Sequence, residues 1–176
     1  MLEPFVLPPI RLESLKAAKF TISPVEPADI EAIVLLAEEC GLSPWTPRDY
    51  REEAKRTDSI LMRLTDDSGN LAGFLVGRRV PGNSADGRLD AEIYNIGIRR
   101  SMQRNGAGSV LLREFLKRCS EHEVVNVWLD VRTSNAGAIA FYRSFGFEEF
   151  TIRNSFYTDP VEDGMVMKLE LTGRIY

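Results

Sequence analysis

The feature of this sequence that most restricts its fold is a glycine-bearing turn that leads from a strand into a helix. The run LDAEIYNIGI (89–98) predicts a strand, and SMQRNGAGSVLLREFL (101–116) passes from a polar turn into an apolar stripe with helical spacing. The near-continuous apolar run VVNVWLDV (124–131) then predicts a buried central strand. A strand–helix–strand succession of this kind forms a right-handed unit with parallel strands. The sequence therefore predicts an α/β fold.

The rest of the chain predicts further helices and hairpins around this unit. Thr46 and Asn135 stand where N-caps are expected, at the starts of two of the helices. The predicted order is β-α-α-β-β-β-α-β-α-β-β, an α/β (α+β) domain with one mixed sheet of about seven strands and four helices. We expect this domain to span residues 19–171, after an N-terminal arm (1–18) and before a tail (172–176). The other predicted helices are 27–40, 46–56 and 135–145, and the other predicted strands are 19–25, 59–65, 71–80, 147–153 and 163–171.

The composition excludes several classes of protein. The net charge is −4 and no basic stripe dominates, so we do not expect a nucleic-acid partner. No apolar run approaches the roughly eighteen residues that span a bilayer, and the N-terminus lacks the pattern of a signal peptide. Cys40 and Cys119 are too few for a disulfide framework, so we expect a cytoplasmic protein without a membrane partner. A single histidine, His122, argues against a hydrolytic triad, and no metal cluster is visible.

The glycine turn predicts an anion site, since the first N–H groups of a helix lack internal partners and carry partial positive charge. A plain loop-to-helix joint is the simplest alternative. Gly106 and Gly108 also match the first two glycines of the dinucleotide motif GxGxxG, with Asp130 at a plausible distance, but Leu111 takes the third position. A dinucleotide- or S-adenosylmethionine-binding enzyme is therefore the second interpretation. In the first interpretation, QRNGAG (103–108) resembles Q/R-x-x-G-x-G/A, the pyrophosphate signature of the GNAT superfamily, and this resemblance implies coenzyme A as the ligand.

The segments around this turn resemble the ribosomal-protein-alanine N-acetyltransferase branch of the GNAT superfamily. The runs AEIYNIGI, LDVRTSNAGAIAFYRSFGF, IRNSFY and EDGMVM carry the resemblance, which extends over residues 19–171. It implies a GNAT-type sheet with two splayed strands and acetyl-CoA as co-substrate, whose pyrophosphate would lie on the turn and whose pantetheine arm would bond the first strand. The cofactor-binding residues implied by the resemblance are Ile96, Gly97, Ile98, Gln103, Arg104, Asn105, Gly106, Ala107, Gly108, Ser109, Asn135 and Tyr142.

Acetyl transfer to an amine requires a base for the amine and an acid for the departing thiolate. Tyr142 aligns with the family tyrosine that protonates the coenzyme sulfur, and a phenol with an ordinary pKa of about 10 can donate at pH 7. Asp130 occupies the position of a family glutamate and is one methylene shorter, so its reach to the amine is in question. Glu92 matches another family glutamate and is the alternative base. A strand-end carboxylate that caps local backbone is the structural alternative for Asp130.

The resemblance extends less firmly to the acceptor. It implies that Trp45, Phe156 and Tyr157 wall the acceptor slot, although aromatic residues of this kind also pack cores and rims. Glu162 and Asp163 either attract a positively charged N-terminus or are solvated loop charges. The predicted function is acetylation of the α-amine of a protein N-terminus, with the alanine of ribosomal protein S18 as the acceptor by resemblance. A lysine or small-molecule amine as the acceptor, and an acetyl-CoA sensor with little turnover, are the alternatives.

Overall fold

A computed structural model of the chain describes residues 20–42, 44–82 and 87–171. The predicted α/β fold, with its seven strands, four helices and their order, is confirmed. The predicted arm (1–18) and tail (172–176) lie outside the described residues. The elements are β1 Thr21–Pro24, α1 Ile30–Glu39, α2 Pro47–Ala54, β2 Ser59–Thr65, β3 Leu71–Pro81, β4 Leu89–Ile98, α3 Ala107–Glu121, β5 Val124–Arg132, α4 Ala136–Ser144, β6 Glu148–Thr158 and β7 Val161–Glu170.

The strands form one mixed sheet in the order β1-β2-β3-β4-β5-β7-β6. Among the described strands, β4 and β5 run parallel and the other neighbouring pairs are antiparallel. A parallel pair needs a crossover connection, which α3 supplies. The strand–helix–strand unit predicted from the glycine turn therefore lies at the centre of the sheet.

Helices cover both faces of the sheet and enclose two apolar clusters. One cluster packs α3 and α4 against the sheet, and the other packs α1 and α2. Leu75 of β3 belongs to the first cluster, whereas its neighbours Phe74 and Val76 belong to the second. Successive side chains of a strand point to opposite faces, so the two helix pairs lie on opposite sides of the sheet. We call these the α3/α4 face and the α1/α2 face.

The predicted helix caps are present. Thr46 Oγ1 accepts a hydrogen bond from Asp49 N at 3.3 Å, and Asp49 Oδ2 accepts one from Thr46 N at 2.7 Å. This reciprocal pair satisfies backbone donors that the first turn of α2 leaves free. Among the described helices, none is long and apolar enough to cross a membrane.

The final hairpin is longer than the sequence predicts. The connection expected at 154–162 is mostly strand, because β6 continues to Thr158 and β7 begins at Val161. The sequence pattern hides this extension because the pairing is irregular: residues 154–156 of β6 stand opposite Asp163 alone. The carboxylate of Asp163 accepts a hydrogen bond from Ser155 N at 2.8 Å, so a side chain replaces a missing ladder bond at this bulge. The bulge directs the end of β6 back toward β5.

Candidate active site

The parallel strands β4 and β5 separate halfway along their lengths. They pair from Leu89 and Val124 to Ile93 and Leu129, whereas both strands continue beyond that point. Past Ile93, the edge of β4 that faces β5 therefore has no strand partner among the described residues. A buried edge of this kind leaves backbone N–H and C=O groups for a ligand to satisfy.

A β-bulge in β4 marks the point of separation. Val76 of β3 pairs with Asn95 and the next residue, Gly77, pairs with Ile93, so Tyr94 is an extra residue in β4. A bulge bends its strand and increases the local twist. The bulge thus turns the second half of β4 away from β5, and this opening is the splay that the resemblance implies.

A cleft of about 650 Å³ occupies the opening. Its volume lies within the range of about 300–1,000 Å³ that is usual for small-ligand sites. The two strands, the glycine turn, the starts of α3 and α4 and the end of α1 form its walls. The predicted site residues that line it are Ile96, Ile98, Gln103, Arg104, Gly106, Gly108, Ser109, Asp130, Asn135, Tyr142 and Tyr157.

The glycine turn presents free backbone donors to this cleft. Gly106 is the N-cap of α3 with a φ of +83°, a conformation that favours glycine, and it has no side chain to cap the helix. The first backbone bond of the helix runs from Val110 N to Gly106 O at 3.0 Å, so the N–H groups of the preceding turn have no helical partner. Gln103 donates to Ile98 O at 2.9 Å and ties the turn to the end of β4. Asn105 and Ala107 belong to the turn and to α3 without lining the cleft.

Asn135 combines two roles at the start of α4. Its Oδ1 accepts a hydrogen bond from Ala138 N at 3.0 Å, which confirms the predicted N-cap. The side chain also lines the cleft. The cap uses the amide oxygen and leaves the two N–H donors of the amide for a ligand.

Tyr142 lies on the inner side of α4 and is 6% exposed. Its ring contacts Phe147 edge-on, with 5.6 Å between ring centroids. Burial, and secondarily the nearby Tyr157, raise the pKa of the Tyr142 hydroxyl above its ordinary value. The phenol is therefore protonated at neutral pH and faces the cleft as a proton donor.

Asp130 lies where β5 has already separated from β4. Burial raises the pKa of its carboxyl group, the Arg153 guanidinium lowers this pKa, and the neighbouring Glu92 carboxylate raises it. Arg153 Nη1 lies 3.3 Å from both carboxylate oxygens of Asp130. Asp130 therefore has a side-chain partner on β6. Within the described ranges, its carboxylate accepts no hydrogen bond from a backbone N–H group.

Glu92 lies outside the cleft lining but contacts a residue within it. Tyr94 donates its hydroxyl to Glu92 Oε2 at 2.9 Å, and burial together with Glu92 raises the pKa of Tyr94 to about 12. The guanidinium of Arg78 lies 5.3 Å from the centroid of the Tyr94 ring, and Arg78 forms an ion pair with the buried Glu53. The two candidate bases thus have different partners.

The end of β6 is fixed against β5 by Arg132. Its guanidinium lies 4.2 Å from the centroid of the Tyr157 ring and donates to the carbonyl oxygens of Asp159 and Pro160. It also pairs with Glu162 at 3.2 Å, and Glu162 in turn accepts a hydrogen bond from Ser134 N at 2.7 Å. This backbone donor is the main reason that the pKa of Glu162 is lowered. Glu162 therefore holds the β5–α4 connection.

The other predicted site residues lie beside the cleft. Trp45 packs between Tyr50 and Tyr94 on the α1/α2 face, with ring centroids 5.3 and 5.8 Å away. Phe156 packs against Tyr157 on β6, and Gly97 belongs to β4 without lining the cleft. In the part of the chain that the structure describes, no group of three His, Cys, Asp or Glu side chains forms a metal site.

Comparison with known proteins identifies this arrangement. Residues 30–147 match the Acetyltransferase (GNAT) family. The chain belongs to this family. Family membership decides between the two kinds of glycine turn left open by the sequence: this turn is the one of the GNAT acetyltransferases and not that of the dinucleotide-binding enzymes.

Individual relatives match most of the chain. The chain is 32% identical over 155 residues to the ribosomal protein bS18-alanine N-acetyltransferase of Escherichia coli (strain K12), covering 86% of this chain and 98% of that one. The crystal structure of the ribosomal-protein-S18-alanine N-acetyltransferase from Escherichia coli superimposes with a TM-score of 0.73 and 31% identity, covering 86% and 94% of the two chains. Ard1 from Thermoplasma volcanium superimposes with a TM-score of 0.76 and 27% identity, covering 86% and 97%.

Sequence reasoning missed several residues of the GNAT cleft. The end of α1 reaches the cleft, and the half-buried thiol of Cys40 donates to Ile98 O at 3.4 Å. Asn95 is buried and lines the cleft, and its Nδ2 has no hydrogen-bond partner among the described residues. The spacing of two apolar residues is consistent with the bulge. Ile93 and Ile96 are three residues apart and pack into the same cluster, whereas a regular strand would place them on opposite faces. The contribution of α1 has no local signal, because only the tertiary fold brings it there.

Proposed function

We propose that this GNAT protein transfers the acetyl group of acetyl-CoA to the α-amine of a protein N-terminus, with the N-terminal alanine of ribosomal protein S18 as the acceptor. The proposal depends on one observation above all. The cleft between β4 and β5 connects the free N–H groups of α3 with the Tyr142 phenol and the Asp130 carboxylate. The names of the Escherichia coli relatives support this choice of acceptor.

The described residues fit acetyl-CoA. The start of α3 offers backbone donors and partial positive charge, which suit a pyrophosphate. Gln103, Arg104 and the turn from Asn105 to Ser109 would surround it, and Asn135 would add its amide donors. The edge of β4 at Ile96, Gly97 and Ile98 has no strand partner and would bond the peptide-like amides of the pantetheine arm, as an added strand does, through backbone groups other than Ile98 O, which accepts from Gln103 and Cys40.

Tyr142 and a carboxylate would divide the movement of protons. Bound acetyl-CoA supplies a thioester whose carbonyl carbon bonds to the amine nitrogen as the carbon–sulfur bond breaks. An acceptor ammonium must release protons for this attack, and the departing sulfur must receive one. Tyr142, protonated and buried, donates to the sulfur. Asp130 lines the cleft and Glu92 does not, so Asp130 is our first choice for the group that receives the amine proton, directly or through a water.

The acceptor would approach from the α1/α2 face. Val127, Leu129 and Val131 of β5 pack toward α3 and α4, so Asp130 between them points to the opposite face. Tyr157 lines the cleft there, and Trp45 and Phe156 lie beside it. The donor and the acceptor would thus meet across the opening between the strands, each from its own face of the sheet.

The test is acetylation of a peptide with the alanine N-terminus of S18, followed by mass spectrometry and by release of coenzyme A thiol. We expect one acetyl group on the α-amine. A matched peptide with a blocked N-terminus and an internal lysine should remain unmodified. Acetylation of that lysine would change the acceptor class. Tight binding of acetyl-CoA without any product on a panel of amines would instead favour the sensor.

A further inference from the structure

The carboxylate that would receive the acceptor already holds a cation. Arg153 Nη1 lies 3.3 Å from both oxygens of Asp130, and the two side chains are 50% and 30% exposed. Ion pairs at exposed positions contribute little net stability and exchange readily. Another cation can therefore replace Arg153 at Asp130.

The fold places Arg153 in this position from two sides. Arg132 of β5, Gly164 of β7 and Arg153 of β6 are consecutive partners in the sheet and so lie in one row on the same face. Because Gly164 has no side chain, the Phe156 ring lies across it; a Cβ at residue 164 would be 2.9 Å from Phe156 Cδ1. The guanidinium of Arg153 lies 3.9 Å from the centroid of the Phe156 ring. The ring supports the guanidinium while it reaches Asp130.

The two arginines of this row differ in how many hydrogen-bond partners hold them. Arg132 donates to two carbonyl oxygens and pairs with Glu162. For Arg153, by contrast, Asp130 is the only hydrogen-bond acceptor within the ranges that the structure describes. Arg153 can therefore release Asp130 and keep its contact with Phe156, whereas Arg132 cannot move without losing several bonds.

The charges around Asp130 favour an exchange of cations. The titratable groups that act on it are Glu92 of the neighbouring strand β4 and, across β7, Arg153 and Tyr157 of β6. Strand β7 places Val166 opposite Asp130, and Arg132, two residues along β5, is paired with Glu162. Asp130 thus has one cationic partner, Arg153, and a second carboxylate, Glu92, nearby. An ammonium is compact and carries three donors, so it can occupy a carboxylate at closer range than a planar guanidinium held by a ring. Replacing one by the other leaves the charge at Asp130 unchanged.

We propose that Arg153 competes with the acceptor for Asp130 and holds this carboxylate until the ammonium group of the acceptor replaces it. This inference rests on the proposed function, since it names the group that the acceptor amine must displace. Acceptors without a cationic amine do not displace Arg153 and bind no better when it is absent. Arg153 thus lowers the affinity for charged N-termini and leaves that for neutral ones unchanged, so an acceptor amine must outcompete a resident guanidinium to reach Asp130.

The experiment compares peptide binding by Arg153→Gln, Arg153→Lys and wild type, measured by titration calorimetry in the presence of coenzyme A. The probes are the S18-type alanine peptide and the same peptide with an acetylated N-terminus. We expect Arg153→Gln to bind the free-amine peptide about two- to fivefold more tightly, the range that an exposed ion pair allows, and the acetylated peptide with unchanged affinity. Arg153→Lys keeps the charge and should bind as wild type does.

The pH dependence gives a second readout that a merely structural role would not move. The guanidinium lowers the pKa of Asp130, so in Arg153→Gln the carboxylate gains its proton at a higher pH. When the solution is acidified, binding of the free-amine peptide should therefore begin to weaken at a higher pH in Arg153→Gln than in wild type. A matched control is Arg56→Gln, which removes a comparably exposed ion pair with Asp58 away from the cleft and should change neither readout.

The outcomes separate this inference from the proposed function. Equal affinity of wild type and Arg153→Gln for the free-amine peptide, or tighter binding of the acetylated peptide as well, overturns the role of Arg153 even if acetylation proceeds. Tighter binding by Arg153→Gln without acetylation by either protein supports the role of Arg153 and refutes acetyl transfer. If neither protein binds the free-amine peptide, both proposals are overturned.

Discussion

Replacing Tyr142 with phenylalanine should remove the proposed acid and leave the fold intact. The side chain is 6% exposed and its ring packs against Phe147, whereas its hydroxyl forms no hydrogen bond with any residue that the structure describes. The substitution therefore keeps the packing and leaves no buried partner unpaired. We expect the free energy of unfolding to change by less than about 0.5 kcal/mol, which is the usual range for substitutions that break no contact.

The effect of Tyr142→Phe on turnover should be far larger. A positioned general acid contributes about 10²- to 10⁴-fold, so kcat should fall by that factor, equivalent to about 2.7–5.5 kcal/mol of activation free energy. Since burial raises the pKa of Tyr142 above its ordinary value of about 10, the wild-type enzyme should show no alkaline loss of kcat from this group below that pH. The dissociation constant of acetyl-CoA should remain unchanged.

The assay is release of coenzyme A thiol at saturating peptide, with calorimetric binding of acetyl-CoA and the melting temperature measured on the same samples. The matched control is Tyr50→Phe, which also removes a buried phenol hydroxyl, at a residue that does not itself line the cleft and whose hydroxyl faces Asn95. A kcat for Tyr142→Phe within about threefold of wild type would rule out general acid catalysis by this residue, because positioned acids contribute far more. A fall in kcat accompanied by an equal loss of acetyl-CoA affinity would indicate a packing role.

Three further predictions follow from the described contacts. Thr46→Ala removes the N-cap of α2 and should lower the free energy of unfolding by about 1 kcal/mol, seen as a melting temperature about 2–4 °C lower. Gly164→Ala places a methyl group 2.9 Å from the Phe156 ring and should cost about 1 kcal/mol of stability while raising the KM of the peptide more than that of acetyl-CoA. Burial raises the pKa of Asp130, so kcat/KM should fall on the acidic side at a pH above the ordinary carboxyl pKa of about 3.9. Asp130→Asn should abolish that limb, and persistence of the limb would transfer the role of base to Glu92.

The part of the cleft formed by the glycine turn and α4 was predictable from the sequence because its signals are local. The glycine turn, the N-cap Asn135 and the helix that carries Tyr142 are each encoded within a few consecutive residues. The family resemblance is also strongest there. The order of the strands follows from the same patterns, since turns and apolar runs mark each strand separately.

The region around Asp130 and the end of β6 was harder to predict because its contacts join distant segments. Asp130 meets Arg153 across the intervening strand β7, and Tyr157 is held by Arg132 after an irregular stretch of β6 that reads as a loop. The alternation of side chains along a strand predicts contacts between strands only when the pairing register is known. A bulge changes the register by an amount that composition does not encode.

The extra residue in β4 accounts for both properties of the cleft. Ile93 and Ile98 both pack toward α3, although residues five apart in a regular strand point to opposite faces. Only the insertion of Tyr94 reconciles their positions, and it also bends β4 away from β5. The bulge therefore opens the space for a donor and, in the same step, leaves Tyr94 in contact with Glu92 and with Trp45 on the α1/α2 face. Regular pairing at this point would remove the bend and reverse the facing of Ile96 and Ile98, so the opening of the cleft and its apolar lining have a single structural cause.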